Sequence, residues 1–139
     1  MSVIEVVTAP AESDRDAILA PLVAFNESAF GPTERHPIAL VIRDHDGGIV
    51  GGLWGMASYR WLFVLYLVVP AAMRGQGRGR DLMRAAEAEA KRLDCVGLWL
   101  DTFSFQARGF YEKLGYSCFG RIDDYPPGEA RFFLSKRIA

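Results

Sequence analysis

Cysteine is scarce, with only Cys95 and Cys118 in 139 residues. Two thiols build no disulfide framework and fit no metal site. Net charge is nearly absent as well, −1 at pH 7. Such a chain carries no field that gathers nucleic acid or anionic lipid. Long hydrophobic runs are missing. The longest, Trp61 to Met73, contains Pro70 and falls short of the roughly 20 residues a bilayer-spanning helix takes. The opening Met-Ser-Val-Ile-Glu-Val-Val has no basic region and no cleavage-like site, so a cytoplasmic protein is expected. Repeats, low-complexity tracts and linkers are not found. What is present is a chain half apolar by residue, enough for one domain over residues 1–139 with a real core.

The most informative stretch is Arg74-Gly-Gln-Gly-Arg-Gly-Arg80. An apolar run, Trp61 to Val69, precedes it, and an amphipathic segment, Asp81 to Leu93, follows. Glycines at 75, 77 and 79 let successive N–H groups turn toward one point without a Cβ in the way. Those amides and the positive end of a helix dipole make a site for a phosphate-bearing ligand. Arg74, Arg78 and Arg80 add charge around it. The dinucleotide fingerprint fails because Arg80 stands where its third glycine belongs, and the ATP-type loop fails for want of Gly-Lys-Ser/Thr. A disordered Arg/Gly RNA-binding tract would be longer and lack apolar walls. A glycine turn with no ligand is the remaining bland reading.

Around this loop the chain predicts further elements. Ile4 to Thr8 reads as a strand, and Asp14 to Phe30 as a helical stripe with Ser13 and Asp16 resembling a capping box. Pro21 predicts two short helices or a kink there. Ala39 to Arg43 and Ile49 to Ser58 read as strands joined at 44–48. Trp61 to Val69 reads as a buried central strand. Its βαβ continuation is the helix Asp81 to Leu93 and the strand Val96 to Leu100. Gln106 to Leu114 reads as a short helix closed by Gly115. Tyr116 to Ile122 and Arg131 to Ser135 are the last strands, joined by a turn-rich loop at 123–128.

The pattern Arg/Gln-x-x-Gly-x-Gly/Ala is met by Arg74, Gly77 and Gly79, and in it the chain resembles the GNAT superfamily of acetyl-CoA-dependent N-acetyltransferases. Ala107-Arg-Gly-Phe-Tyr-Glu-Lys-Leu-Gly-Tyr116 resembles a second segment of that family. Together the matches cover roughly residues 60–120. The resemblance implies an α/β fold (α+β by some schemes). It would have a mixed central sheet of six to seven strands, helices on both faces and the order β-α-α-β-β-β-α-β-α-β-β. It also implies acetyl-CoA as co-substrate, no metal, and direct transfer to a primary amine of a small molecule or peptide. The alternative is a non-catalytic acyl-CoA-binding or sensing module.

Site residues follow from the resemblance. Gly75, Gln76, Gly77, Arg78, Gly79 and Arg80 would hold the pyrophosphate, with Arg74 beside them. The backbone of Leu67, Val68 and Val69 would pair with the pantetheine arm, and the Val68 N–H would donate to the thioester oxygen. Tyr111 would be the general acid. Ser104 stands where many members carry an asparagine that bonds the cofactor. The strand Trp61–Val69 has no acidic residue, so the base is open. Asp101, expected at a strand end, is the best candidate, and Glu27, Glu34 and His36 would act through water. Cys95 and Cys118 are expected as buried thiols, with no acetyl-cysteine intermediate. Glu27, Glu34, Asp101, Asp123 and Asp124 at the acceptor mouth would favour a cationic amine, and Tyr125 would stack on it. A homodimer through the C-terminal hairpin is compatible with the sequence.

Overall fold

A computed structural model describes residues 2–139. The chain divides into two compact units between Thr33 and Glu34. In the first, α1 runs from Glu12 to Ala29 as one helix through Pro21, not as two short ones. Its start lies one turn fragment earlier than the Ser13–Asp16 expectation. The Ala11 N–H donates to the Asp14 carboxylate at 2.9 Å, so Asp14 at the third helical position supplies the reciprocal half of a capping box. Residues 4–8 form no strand; they find no ladder partner, and Ile4 is fully exposed.

The second unit is a six-stranded sheet with two helices and a 3₁₀ turn. Its strands are β1 (His36–Arg43), β2 (Ile49–Ser58), β3 (Trp61–Val68), β4 (Gly97–Phe103), β5 (Ser117–Asp123) and β6 (Ala130–Arg137). The spatial order is β1-β2-β3-β4-β6-β5. Only β3 and β4 are parallel. The crossover between them is α2 (Arg78–Arg92), and a six-residue helix, α3 (Arg108–Lys113), links β4 to β5. The sheet therefore has six strands, the lower expected count, because residues 4–8 add none. β1 starts three residues earlier than expected and includes Pro37, which an edge strand tolerates because one side of its backbone has no ladder to feed.

The core lies between one face of this sheet and α2. Leu62, Leu98, Leu100 and Leu134 alternate inward along their strands and meet Met83, Ala86 and Ala90 of α2. Burying each such leucine contributes about 1.5–3 kcal/mol. β3 alternates more than a fully buried strand would. Its outward Phe63 stacks on Trp99 at 3.9 Å, so the far face is aromatic and half-covered. No helix among the described residues is long and apolar enough to cross a membrane.

Candidate active site

α2 begins at Arg78, three residues before the expected start, and Gly77 is its N-cap. Gly75 and Gly77 both take positive φ, 80° and 77°, which a side chain would disfavour. Among the described residues, the backbone N–H groups of residues 75–80 have no backbone acceptor, and no side chain caps the helix start. They are the orphan donors of a helix start and a turn before it, with Arg74, Arg78 and Arg80 around them. A cavity of about 470 Å³ lies over this loop, walled by Leu67, Val69 and Phe110. Gly79 sits inside the first helical turn because the Phe110 ring lies 3.1 Å from where its Cβ would be.

β3 and β4 then part. Their pairing ends at Val64 and Leu100, although β3 continues to Val68 and β4 to Phe103. The cause is local: Leu65 is an extra residue in the β2–β3 ladder, a bulge that bends β3 away from β4. A cavity of about 890 Å³ fills the opening, lined by Leu65 to Val69 on one side and Leu100 to Phe103 on the other. Leu67, Val69, Arg74 and Phe110 line both cavities, so they adjoin. The expected cofactor positions Leu67, Val68 and Val69 thus carry an unpaired strand edge facing open space.

Tyr111 of α3 lines the larger cavity. Its ring is buried against Phe110 and Tyr116, but its hydroxyl has no hydrogen-bond partner among the described residues. Among the described residues no side-chain polar atom is both buried and unsatisfied, so that hydroxyl opens on accessible space. Burial first, and then the charge of Asp101, push its pKa up to about 12. Behind it Tyr116 donates to Glu87 at 2.9 Å, and Lys136 bonds both Glu87 and the Leu114 carbonyl at the end of α3.

The far end of the cavity departs from expectation. Asp101 lies within β4, since pairing with β6 carries that strand on to Phe103. Both its oxygens engage Arg131: Nε donates to Oδ1 at 2.9 Å, and Nη2 lies 2.8 Å from Oδ2. Arg131 Nη1 also donates to the Tyr125 hydroxyl at 2.8 Å. Ser104 does not line the cavity. Its hydroxyl donates to Glu129 and accepts from the Ala130 N–H, which pins the 124–129 loop to the end of β4. Gln106 lines the cavity nearby; it precedes α3 and its side chain accepts from the Phe103 N–H.

Of the acids expected at the acceptor mouth, Asp101 lines the cavity, and Glu34, Asp123 and Asp124 are not among its lining residues. Asp123 pairs with Arg121 at 2.6 Å, and Asp124 accepts from the Gly128 N–H. Glu34 pairs with His36 at 3.0 Å, and His36 lines a separate depression between β1 and α2. Glu27 lies on α1, in the first unit. Arg131 went unremarked in the sequence because its partner stands 30 positions away and only the β4–β6 register joins them.

This arrangement has relatives. An acetyltransferase (GNAT) domain model matches residues 36–118. An acetyltransferase of Agrobacterium fabrum is 38% identical over 130 residues, 94% of each chain. Blasticidin-S acetyltransferase of Streptomyces morookaense is 42% identical over 93 residues, 66% of this chain and 68% of that one. A crystal structure assigned as an acetyltransferase of Agrobacterium tumefaciens superposes with a TM-score of 0.90 at 36% identity, covering 99% of both chains. An aminoglycoside 6′-N-acetyltransferase solved with coenzyme A, 21% identical over 81% of this chain and 77% of that one, shares the fold with a TM-score of 0.66. A glycine loop at a helix start, a parted pair of parallel strands and an unpartnered tyrosine beside them come together with these likenesses, and the chain is an acetyltransferase enzyme of the GNAT family.

Proposed function

We propose that this enzyme moves the acetyl group of acetyl-CoA to a primary amine of a small molecule, by direct transfer within a ternary complex. The parting of β3 and β4 above Val64 and Leu100 carries this reading, because it presents an unpaired strand edge between a phosphate-binding loop and a free tyrosine hydroxyl. The loop amides of residues 75–80 take the pyrophosphate. The backbone of Leu67 to Val69 pairs with the pantetheine arm, and the Val68 N–H donates to the thioester oxygen as charge builds on it.

The amine nitrogen attacks the thioester carbon, and the carbon–sulfur bond breaks. Tyr111 donates its proton to the departing sulfur and regains one from the amine. A tyrosine of pKa about 12 gives up a proton to a thiolate only where the sulfur is poorly solvated, because an ordinary thiol has a pKa of about 8.5. A cavity walled by Leu67, Val69 and Phe110 supplies that condition. Before the attack, Asp101 takes one proton from the incoming ammonium on the lone pairs that Arg131 leaves unused, directly or through water, and passes it to solvent. The proton that Tyr111 regains is the second one, shed by the nitrogen as the amide forms. The two free cysteines fit a cytoplasmic site of action.

Acetyl-CoA at 100 times its Kd is expected to stabilise the protein by about 2.7 kcal/mol. Release of free thiol from it, with a panel of primary amines, is the direct assay. No thermal shift with acetyl-CoA, or no thiol release with any amine, would overturn the reading.

A further inference from the structure

Arg131 takes no step in the reaction above, yet it lines the same cavity as Tyr111 and Asp101. Its guanidinium is held from several sides. Asp101 grips Nε and Nη2, the Tyr125 hydroxyl grips Nη1, and the rings of Tyr125, Phe133 and Phe103 lie 4.9, 5.4 and 5.5 Å from its central carbon. Tyr125 is itself carried by the loop that Ser104 fastens through Glu129 and Ala130. A guanidinium has five N–H donors. The contacts named use one on each nitrogen, which leaves one N–H on each terminal nitrogen without a partner among the described residues.

A cation fixed in this way has already lost its rotamer freedom, so a ligand reaching the remaining donors bears little ordering cost. An oxyanion is the complement of such donors, and carboxylate geometry suits a guanidinium best. Charge balance agrees. The charged side chains lining the cavity are Arg74, Asp101 and Arg131, and Arg74 belongs to the loop end. At the other end the Asp101–Arg131 pair is neutral as a unit but dipolar. It offers a carboxylate to an ammonium and a guanidinium to a carboxylate. Phe103 and Phe105, stacked at 5.2 Å, add an aromatic wall beside it, with Phe105 largely exposed.

We infer that Arg131 is a specificity-determining residue on the acceptor side, and that the acceptor is an amine also bearing a carboxylate, with a flat portion that lies on the Phe103–Phe105 wall. This rests on reading the cavity as the place of acetyl transfer. Asp101 draws the ammonium before it loses its proton, and Arg131 holds the carboxylate away from the thioester.

The test uses the full chain with acetyl-CoA and matched acceptors: phenylalanine, tryptophan and histidine, each beside its carboxamide. The free acids are expected to show kcat/KM at least about tenfold above the carboxamides, carried by KM. Arg131→Met should bring that ratio within about twofold of one, and Arg131→Lys, which keeps the charge but loses the fork, should recover part of it. A ratio near one in the wild-type enzyme, or an equal ratio in wild type and Arg131→Met, overturns the inference. Should Arg131→Met fail to fold, the wild-type ratio and Arg131→Lys decide. Wild-type enzyme that acetyl-CoA stabilises but that acetylates neither member of any pair overturns the inference and leaves the transfer reading standing. Absence of any acetyl-CoA stabilisation overturns the transfer reading itself.

Discussion

Tyr111 is 8% exposed, and a tyrosine so deeply set ordinarily satisfies its hydroxyl. Here the hydroxyl is left to the cavity, while the ring is wedged between Phe110 and Tyr116. Removing the hydroxyl alone therefore leaves the packing intact. Tyr111→Phe is expected to lower kcat by about 10²-fold while the urea midpoint of unfolding barely moves. An undiminished kcat would exclude the acid role. The pH behaviour follows from the raised pKa. Folding favours the protonated phenol, so its contribution to stability is complete below about pH 10, the ordinary tyrosine value, and is lost as pH climbs toward 12. Phenolate absorbance should accordingly show a late-titrating tyrosine in the wild type that Tyr111→Phe lacks. Tyr111 was legible in the sequence because it sits in a contiguous local segment. Arg131 was not, because nothing near it in the chain announces Asp101.

Among the elements, the junction of glycine loop and α2 is the most constrained. Gly77 holds φ at 77°, and a Cβ there would stand 2.8 Å from Arg80 Nη2. Left-handed backbone costs a non-glycine residue roughly 1–2 kcal/mol. Gly77→Ala should therefore open the first turn of α2 and weaken acetyl-CoA binding by about tenfold, an amount that 1.4 kcal/mol accounts for. Calorimetric titration measures it, and unchanged affinity would mean the loop amides are not the phosphate site. The loop itself was plain in the sequence, but the helix start was not. Glycine at 79 reads as a helix breaker from propensity alone, and only Phe110 of α3, lying against it, explains its place inside the first turn. β4 was likewise read three residues short, because its last residues are held by pairing with β6. Pro21 predicts two short helices or a kink, and the backbone carries a single helix, α1, through it.

At the scale of the sheet and its helices, a buried charged hub ties the loop helix to the tyrosine helix. Glu87 of α2 is 8% exposed and receives bonds from Tyr116, Lys136 and Arg84. Lys136 in turn caps α3 through the Leu114 carbonyl at 2.9 Å. A six-residue helix is too short to persist by itself, so this hub fixes its orientation. Glu87→Ala would strand a half-buried ammonium, and the loss is expected at about 3–5 kcal/mol, read by urea unfolding. A loss under 1 kcal/mol would mean that water already screens the pair.

The sequence by itself determined the family, the glycine loop, the segment that carries Tyr111 and most strand positions. Those are short-range patterns, written in the spacing of glycines and apolar residues within a few turns of chain. Tertiary structure alone decided the parting of β3 from β4, which turns on a bulge at Leu65. It alone decided the neutralisation of Asp101 by Arg131 and the diversion of Ser104 to the loop. Each of these depends on which residues distant strands bring opposite one another. Register is a property of the whole sheet, and no local segment encodes it.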